Sequence, residues 1–490
     1  MTNKVKEEEE HHHFKRALGF WDATMIVAGS MIGSGIFIVS ADMSRTVGST
    51  GWLLLLWVLS GVITLMAALS YGELAGMMPK AGGQFVYIER AWGKVTSFLY
   101  GWAVFTVIQT GVIAAVAVAF AKYSGVFFPF ISPDNIVMTA GPITISTAQC
   151  LAVAMIFFLT WINTHGIRNG KWIQLVFTTA KLLALLLLIL VGIYVGLNYE
   201  HFSNNFSNLW DAHTFTQNAD KSWTGPIPIS GMALVLALGT AMIGSLFSSD
   251  AWNNVTFIAG EIRDPRRNIP LSLITGTAIV TVLYILANVA YLGLLPINGD
   301  PNSTDVLGQG IQFAASDRVG TAASSMIFGE SSVLIMALLI MVSTFGCNNG
   351  LLLSGARVYY AMAKDGLFFR HAAQLNKNDV PEFALWIQAT WAGLLCLSGT
   401  YGDLLDYCTF ASLLFYIVTI GGIFILRKKE PDAERPYKVL AYPLLPILYI
   451  ILAAGICAIL LVTKPQNTWS GLFIVSLGLP IYYFFIRKKK

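Results

Sequence analysis

Apolar stretches about twenty residues long return about a dozen times along this chain, and nothing else in it constrains the fold as strongly. A helix rises about 1.5 Å per residue, so roughly twenty apolar residues cross the ~30 Å hydrocarbon core of a bilayer. Such windows lie near 18–43, 50–77, 96–121, 147–165, 171–198, 229–258, 271–296, 331–356, 382–400, 404–426, 440–463 and 467–486. Lipid offers no hydrogen-bond partner to backbone amides, so each window is expected to close its own bonds as a helix. The expectation is an all-α integral membrane protein of about twelve transmembrane helices. Only 12% of the 490 residues are charged and 55% are hydrophobic, with mean hydropathy +0.64. A soluble domain carries about 25% charge.

The charges give an orientation. With both termini inside, the outer side holds only Arg45, Lys122, Lys221, Arg318 and Lys464, and Lys181 remains within the membrane. All the other Lys and Arg residues, out of 31, collect on the inner side. Positive residues favour the cytoplasmic side, so both ends are expected in the cytoplasm and the number of spans is expected to be even. The polar connections 199–228 and 297–330 lie outside. The first residues, including His11, His12 and His13, read as a solvated tail too polar for a cleavable signal.

Two spans are poor helices. The first contains GSMIGSGIF, Gly29 to Phe37, with three glycines and two serines in nine residues. Each Gly costs about 1 kcal/mol against Ala in a helix interior. A break there frees backbone groups, which lipid tolerates only where they face protein or a water-filled cavity. The same Gly29–Gly33 spacing also suits close helix packing. The sixth span carries a second weak stretch, GSLFSSDAWNN, Gly244 to Asn254. Five helices separate the first weak span from the second by position, so two five-helix halves would run in opposite directions. Paired interruptions at matching places in two halves point to a secondary transporter's binding site.

A broken helix presents amides at one lip and carbonyls at the other. The amides near Gly33–Ile36 suit a carboxylate, and the carbonyls near Ser30–Ile32 and Phe247–Asp250 suit an ammonium or a sodium ion. Together they describe a site for the zwitterionic head of an α-amino acid. Ionisable groups inside a membrane are functional candidates by default. Lys181 either snorkels to the interface or serves as a built-in cation between spans one and eight. Asp250 pairs with a substrate ammonium, takes a proton or caps a half-helix. Phe247 and Trp252 flank the second break, with Phe247 placed to cover a substrate. Asn253 either bonds a ligand or ties freed backbone. Glu73, at the inner end of span two, reads as one half of a structural or gating pair. Cys150, Cys347, Cys396, Cys408 and Cys457 fall in or beside apolar runs, with no metal-ligand spacing. There is no P-loop, zinc signature or nucleophile elbow, so no enzyme activity, metal or cofactor is expected. Nothing points to a nucleic-acid partner.

At these residues the chain resembles the amino acid–polyamine–organocation superfamily, most closely its L-type amino acid transporter branch and the bacterial members. GSMIGSGIF and SLFSSDAWNN are similar to the family's unwound first and sixth helices. AKLLAL (Ala180 to Leu185), GEIRDPRRNIP (Gly260 to Pro270) and STFGCNNGLLLSGARVYYAMAKDGLF (Ser343 to Phe368) resemble its motifs in span five, after span six and in span eight. The resemblance implies a leucine-transporter-type fold, an inverted five-plus-five repeat with helices 1 and 6 unwound mid-membrane. The first repeat would be 17–198 and the second 229–426. A cytoplasmic tail 1–16, an extracellular loop 199–228 and a last pair of spans with a basic end, 427–490, would flank them.

By the same resemblance, the substrate carboxylate meets Ser34, Gly35 and the amide of Ile36. Its amine meets carbonyls of Met31, Phe247 and Asp250, with Ser248 alongside. Lys181 reaches toward Gly33 and Ser343 in place of sodium. The implied activity is alternating-access transport of neutral L-amino acids in a plasma (inner) membrane, by sodium-independent exchange or facilitated diffusion. A cationic amino-acid or polyamine antiporter and a transport-inactive amino-acid sensor are the alternatives. The loop 122–146 has no cysteine, so no disulfide-linked heavy chain is expected. Asp250 stands where animal members tend to have a small residue. Amino acid and membrane lipid are the expected partners.

Overall fold

The computed structural model describes residues 16–140, 143–218, 220, 222–329, 331–397 and 401–486. Residues 1–15 of the expected tail, with its three histidines, Lys221 and the basic run Arg487–Lys490 lie outside the described residues. The chain is a multi-pass helical membrane protein. Among the described residues, nine helices are each long and apolar enough to cross a bilayer. They include span 2 (Thr50–Met77), span 7 (Pro265–Leu294), span 8 (Ser331–Lys364) and span 10, Tyr401–Lys429. Span 3 joins Lys94–Ala103 to Gln109–Ser124 through one π-helical stretch, Val104–Ile108. Span 4 is Thr147–Thr164, span 5 Ile167–Gly196 and span 11 Leu444–Thr463.

The remaining spans are short or broken. Span 9 is Glu382–Cys396. Span 12 runs as Pro465–Ser476, Gly478–Ile481 and the π-helical Tyr482–Ile486, where the sequence predicts one continuous helix. Span 1 runs as Phe20–Met31, a 3-10 turn at Gly35–Phe37 and Val39–Val47. Span 6 runs as Gly231–Ser248 and a short Asn254–Phe257.

The connections have structure of their own. An antiparallel hairpin, β1 (Ile136–Ala140) with β2 (Ile143–Ser146), joins spans 3 and 4. A second, β3 (His213–Gln217) with β4 (Trp223–Pro228), sits in the connection 199–228. Between spans 2 and 3 lies the helix Gln84–Trp92, which the apolar windows do not reveal because it is amphipathic and short.

Helices pack on the helix five places later: span 1 on 6, 2 on 7, 3 on 8 and 4 on 9. Small residues permit the approach. A Cβ on Gly61 of span 2 would lie 2.1 Å from Thr281 of span 7, and one on Gly276 would lie 2.6 Å from Val27 of span 1. Near the end of span 2, Glu73 is buried and accepts from Nε and Nη2 of Arg427, at 2.9 and 2.7 Å. The amide of Val439 donates to it as well, at 2.8 Å. Spans 2 and 10 and the strand of chain after span 10 are thereby tied at one face of the bundle.

Candidate functional site

Span 1 leaves its helix at Ile32, whose φ of −76° and ψ of 92° are extended. The next residues cannot return the hydrogen bonds that the last helical turn expects, so its carbonyls need other donors. Each finds one. Lys181 Nζ donates to the carbonyls of Gly29 (2.5 Å) and Ile32 (2.6 Å). Cys347 Sγ donates to that of Ser30 (3.1 Å), and Tyr284 Oη to that of Met31 (3.0 Å). Ser343 Oγ lies between the carbonyls of Ile32 (3.1 Å) and Gly33 (3.3 Å). Lys181 and Ser343 thus share the Ile32 carbonyl and line one small cavity beside Gly33. The ammonium itself bonds Gly29 and Ile32, and the Ser343 hydroxyl serves Gly33. Lys181 is 2% exposed, so its side chain does not snorkel to the interface.

The other lip is bare. The amides of Gly33, Gly35 and Ile36 have no backbone partner among the described residues, while Phe37 and Ile38 donate to Ser34 and Gly35 to close the 3-10 turn. Three amides pointing out of a helix start form a natural anion cradle.

Span 6 breaks opposite. Its helix ends in a turn at Ser249 and Asp250, and Ala251 takes φ 63°, a left-handed conformation that costs a non-glycine residue about 1–2 kcal/mol. The two breaks touch. A Cβ on Gly35 would lie 2.2 Å from Ser248 Oγ and 3.1 Å from Ser248 Cα, so only glycine fits there. Tyr284 of span 7 straddles the pair, its hydroxyl 3.0 Å from the carbonyl of Met31 and 3.0 Å from that of Ser248. It carries one proton, so it can donate to only one of them at a time.

Asp250 stands in the second break. Tyr416 Oη donates to one carboxylate oxygen at 2.5 Å and Ser412 Oγ to the other at 3.2 Å. No Lys, Arg or His side chain among the described residues pairs with it. Two small cavities meet at Asp250, each of about 20 Å³ and so with room for about one water. One is lined by Gln84, Tyr100, Gln109 and Asn253, the other by Thr64, Ser249, Trp252, Thr409 and Tyr449. The breaks are closed upon each other in this conformation.

Most of the residues that the sequence singles out converge here: Met31, Gly33, Ser34, Gly35, Ile36, Lys181, Ser343, Phe247, Ser248 and Asp250. Phe247 is buried with apolar residues of spans 3 and 8. Trp252 and Asn253 line the cavities at Asp250 and also hold neighbouring elements. Trp252 packs edge-on to Tyr71 (4.7 Å) and against Tyr416 (5.4 Å). Asn253 Nδ2 donates to Gln84 Oε1 (2.9 Å), so its amide ties chain segments together.

Tyr284, Cys347, Ser412, Tyr416 and Gln84 are site residues that sequence reasoning missed. Spacing offered a partial signal for three of them, Cys347, Ser412 and Tyr416. Ser343 and Cys347, like Ser412 and Tyr416, are four apart and share a helix face. Tyr284 has no such mark.

The amino acid permease family model matches residues 18–486. The human b(0,+)-type amino acid transporter 1 is 28% identical, over 99% of this chain and 90% of its own length. The human large neutral amino acids transporter small subunit 2 is 30% identical, over 96% of this chain and 80% of its own. The mouse Asc-type amino acid transporter 1 is 29% identical, over 96% and 81%.

The tight Gly35–Ser248 contact has a direct test. Gly35→Ala is expected to force the breaks apart at a cost of about 1–3 kcal/mol, as overpacking does elsewhere. The melting temperature in detergent should fall accordingly, and adding Ser248→Gly should restore most of it.

Proposed function

The chain belongs to the amino acid permease family, and from that premise we propose that it exchanges neutral L-amino acids by alternating access without sodium. Its setting is a prokaryotic plasma membrane, with both termini in the cytoplasm. The observation that carries this reading is the pair of breaks in contact at Gly35 and Ser248: among the described residues the amides of Gly33, Gly35 and Ile36 have no backbone partner, and carbonyls end the helical segments beside them. A zwitterion matches that polarity at both ends. In this reading the carboxylate lies on Ser34, Gly35 and Ile36, beside Gly33. The ammonium takes the carbonyls of Met31, Phe247 and Asp250, next to Ser248, and Phe247 covers it.

The shared proton of Tyr284 supports the Met31 assignment. Whichever of the Met31 and Ser248 carbonyls lacks that proton is open to a substrate N–H. Lys181 supplies to the first break the positive charge that a sodium ion would otherwise bring. The neutral preference rests on relatives whose names make them transporters of large neutral amino acids and of Asc type. One of them is named a small subunit. This chain has no cysteine at 122–146, and we take it to work without a disulfide-linked heavy chain. Residues 17–198 and 229–426 form the inverted repeats of this mechanism.

One observation favours a second reading. Asp250 is a carboxylate at membrane depth whose side-chain donors are the hydroxyls of Tyr416 and Ser412, an environment that a substrate's second positive charge would complete. The same chain would then be a cationic amino-acid or polyamine antiporter, and the b(0,+)-type relative carries a plus sign in its name.

Counterflow in proteoliposomes tests the main reading. Neutral L-amino acids inside and outside should exchange equally in sodium and in choline buffer; dependence on sodium, or no exchange of any amino acid, would sink it. Lys181→Ala is expected to lose at least about tenfold in the same assay, since removing a buried charged donor costs about 1.5–3 kcal/mol, while keeping its elution profile. Asp250→Asn separates the two substrate classes. Under the second reading the ratio of cationic to neutral uptake falls at least about tenfold, a single charge pair's worth, and an unchanged ratio removes the reading.

A further inference from the structure

The helix Gln84–Trp92 sits on the terminal side of the bundle, yet its first residue reaches the second break. Two glycines bring it there. Gly82 and Gly83 have φ of +98° and +45°, and a Cβ on Gly83 would lie 2.3 Å from Thr256 Oγ1. The amide of Gly82 donates to the carbonyl of Phe257 at 2.9 Å. The loop is therefore pressed against the second half of span 6.

Gln84 is 1% exposed and uses every hydrogen-bonding position of its carboxamide. Its Oε1 accepts from Asn253 Nδ2 of span 6 (2.9 Å) and from Tyr100 Oη of span 3 (3.0 Å). Its Nε2 donates to Thr419 Oγ1 (2.9 Å) and to the Phe415 carbonyl (3.2 Å), both of span 10. Gln84 also lines the cavity beneath Asp250.

The bonds of this helix are distributed unequally. To span 10 and its extension it is held by Gln84, by Trp92 Nε1 on the Val418 carbonyl (2.9 Å), by Lys429 Nζ on the Ala91 carbonyl (2.9 Å) and by the Arg90–Glu430 ion pair. To span 6, among the described residues, the backbone and carboxamide bonds that hold it are Gln84–Asn253 and Gly82–Phe257. Helix Gln84–Trp92 is thus a rider on span 10, and the joint that can open is the one with span 6.

We propose that Gln84 is the positioning residue of the inner gate. Its carboxamide latches the second half of span 6 to spans 3 and 10, and the cavity under Asp250 joins the cytoplasm when the Gln84–Asn253 bond parts. This rests on the transport reading and on the cytoplasmic placement of the termini. The latch weights the equilibrium between inward-open and inward-closed states, and apparent affinity at each face scales with the fraction of protein open to that face.

Substrate KM measured separately in right-side-out and inside-out vesicles reads that equilibrium. Gln84→Leu keeps the bulk and removes all four bonds. With the latch gone, KM at the cytoplasmic face is expected to fall at least about threefold and KM at the external face to rise by a similar factor. Thr419→Val, isosteric and remote from the substrate, should move both in the same directions by less, and serves if Gln84→Leu does not fold. A residue that only supports the fold would lower turnover and shift the two KM values together. KM values that stay put, or move in parallel, in the variants that fold overturn the proposal.

Discussion

A membrane interior supplies no hydrogen-bond partner, and this protein interrupts a helix inside one. The five carbonyls from Gly29 to Gly33 are the groups put at risk. An amide left without a partner in an apolar medium costs about 2–7 kcal/mol, so five would outweigh the roughly 5–15 kcal/mol net stability of a typical protein. Donors from three other helices meet them: Lys181 from span 5, Tyr284 from span 7, and Ser343 and Cys347 from span 8. The break in span 1 is therefore the place where four helices are held in register. The arrangement of the rest follows from that requirement.

Meeting one lip and not the other creates polarity. The carbonyl end is met by side chains and carries the charge of Lys181, while the amides of Gly33, Gly35 and Ile36 have no backbone partner among the described residues. The second break, pressed on the first at Gly35 and Ser248, is held differently. Its strained residue is Ala251 and its carboxylate, Asp250, takes hydroxyl donors from span 10. Tyr284 touches both breaks with a single proton. A ligand with a positive and a negative end matches that polarity.

Much of the architecture could be read from the chain before any coordinate. The apolar windows marked the spans because hydrocarbon leaves the helix as the only conformation for a single crossing segment. Clustered glycines and serines marked the two breaks because they weaken helices where nothing else can replace them. Lys181 and Asp250 stood out because a charge at membrane depth needs a reason. The helix Gln84–Trp92, the two hairpins and the interruption of span 12 did not stand out. The first is too short and polar for a hydropathy window, the hairpins lie outside the membrane, and the last falls at Ser476, whose carbonyl Pro480 has no amide to meet.

The sequence by itself determined how many times the chain crosses, where two crossings fail as helices and which ionisable side chains are left inside. All of these are properties of one segment against lipid. Tertiary structure alone decided which donor meets which carbonyl: that Lys181 lands on Gly29 and Ile32, that Tyr284 bridges Met31 and Ser248, and that Gln84 reaches Asn253. These partners lie 152, 149, 253, 36 and 169 residues apart. The spans that carry them are apolar on nearly every side, so periodicity cannot tell which face meets which neighbour. Only the rotation and crossing of packed helices brings those atoms within bonding distance.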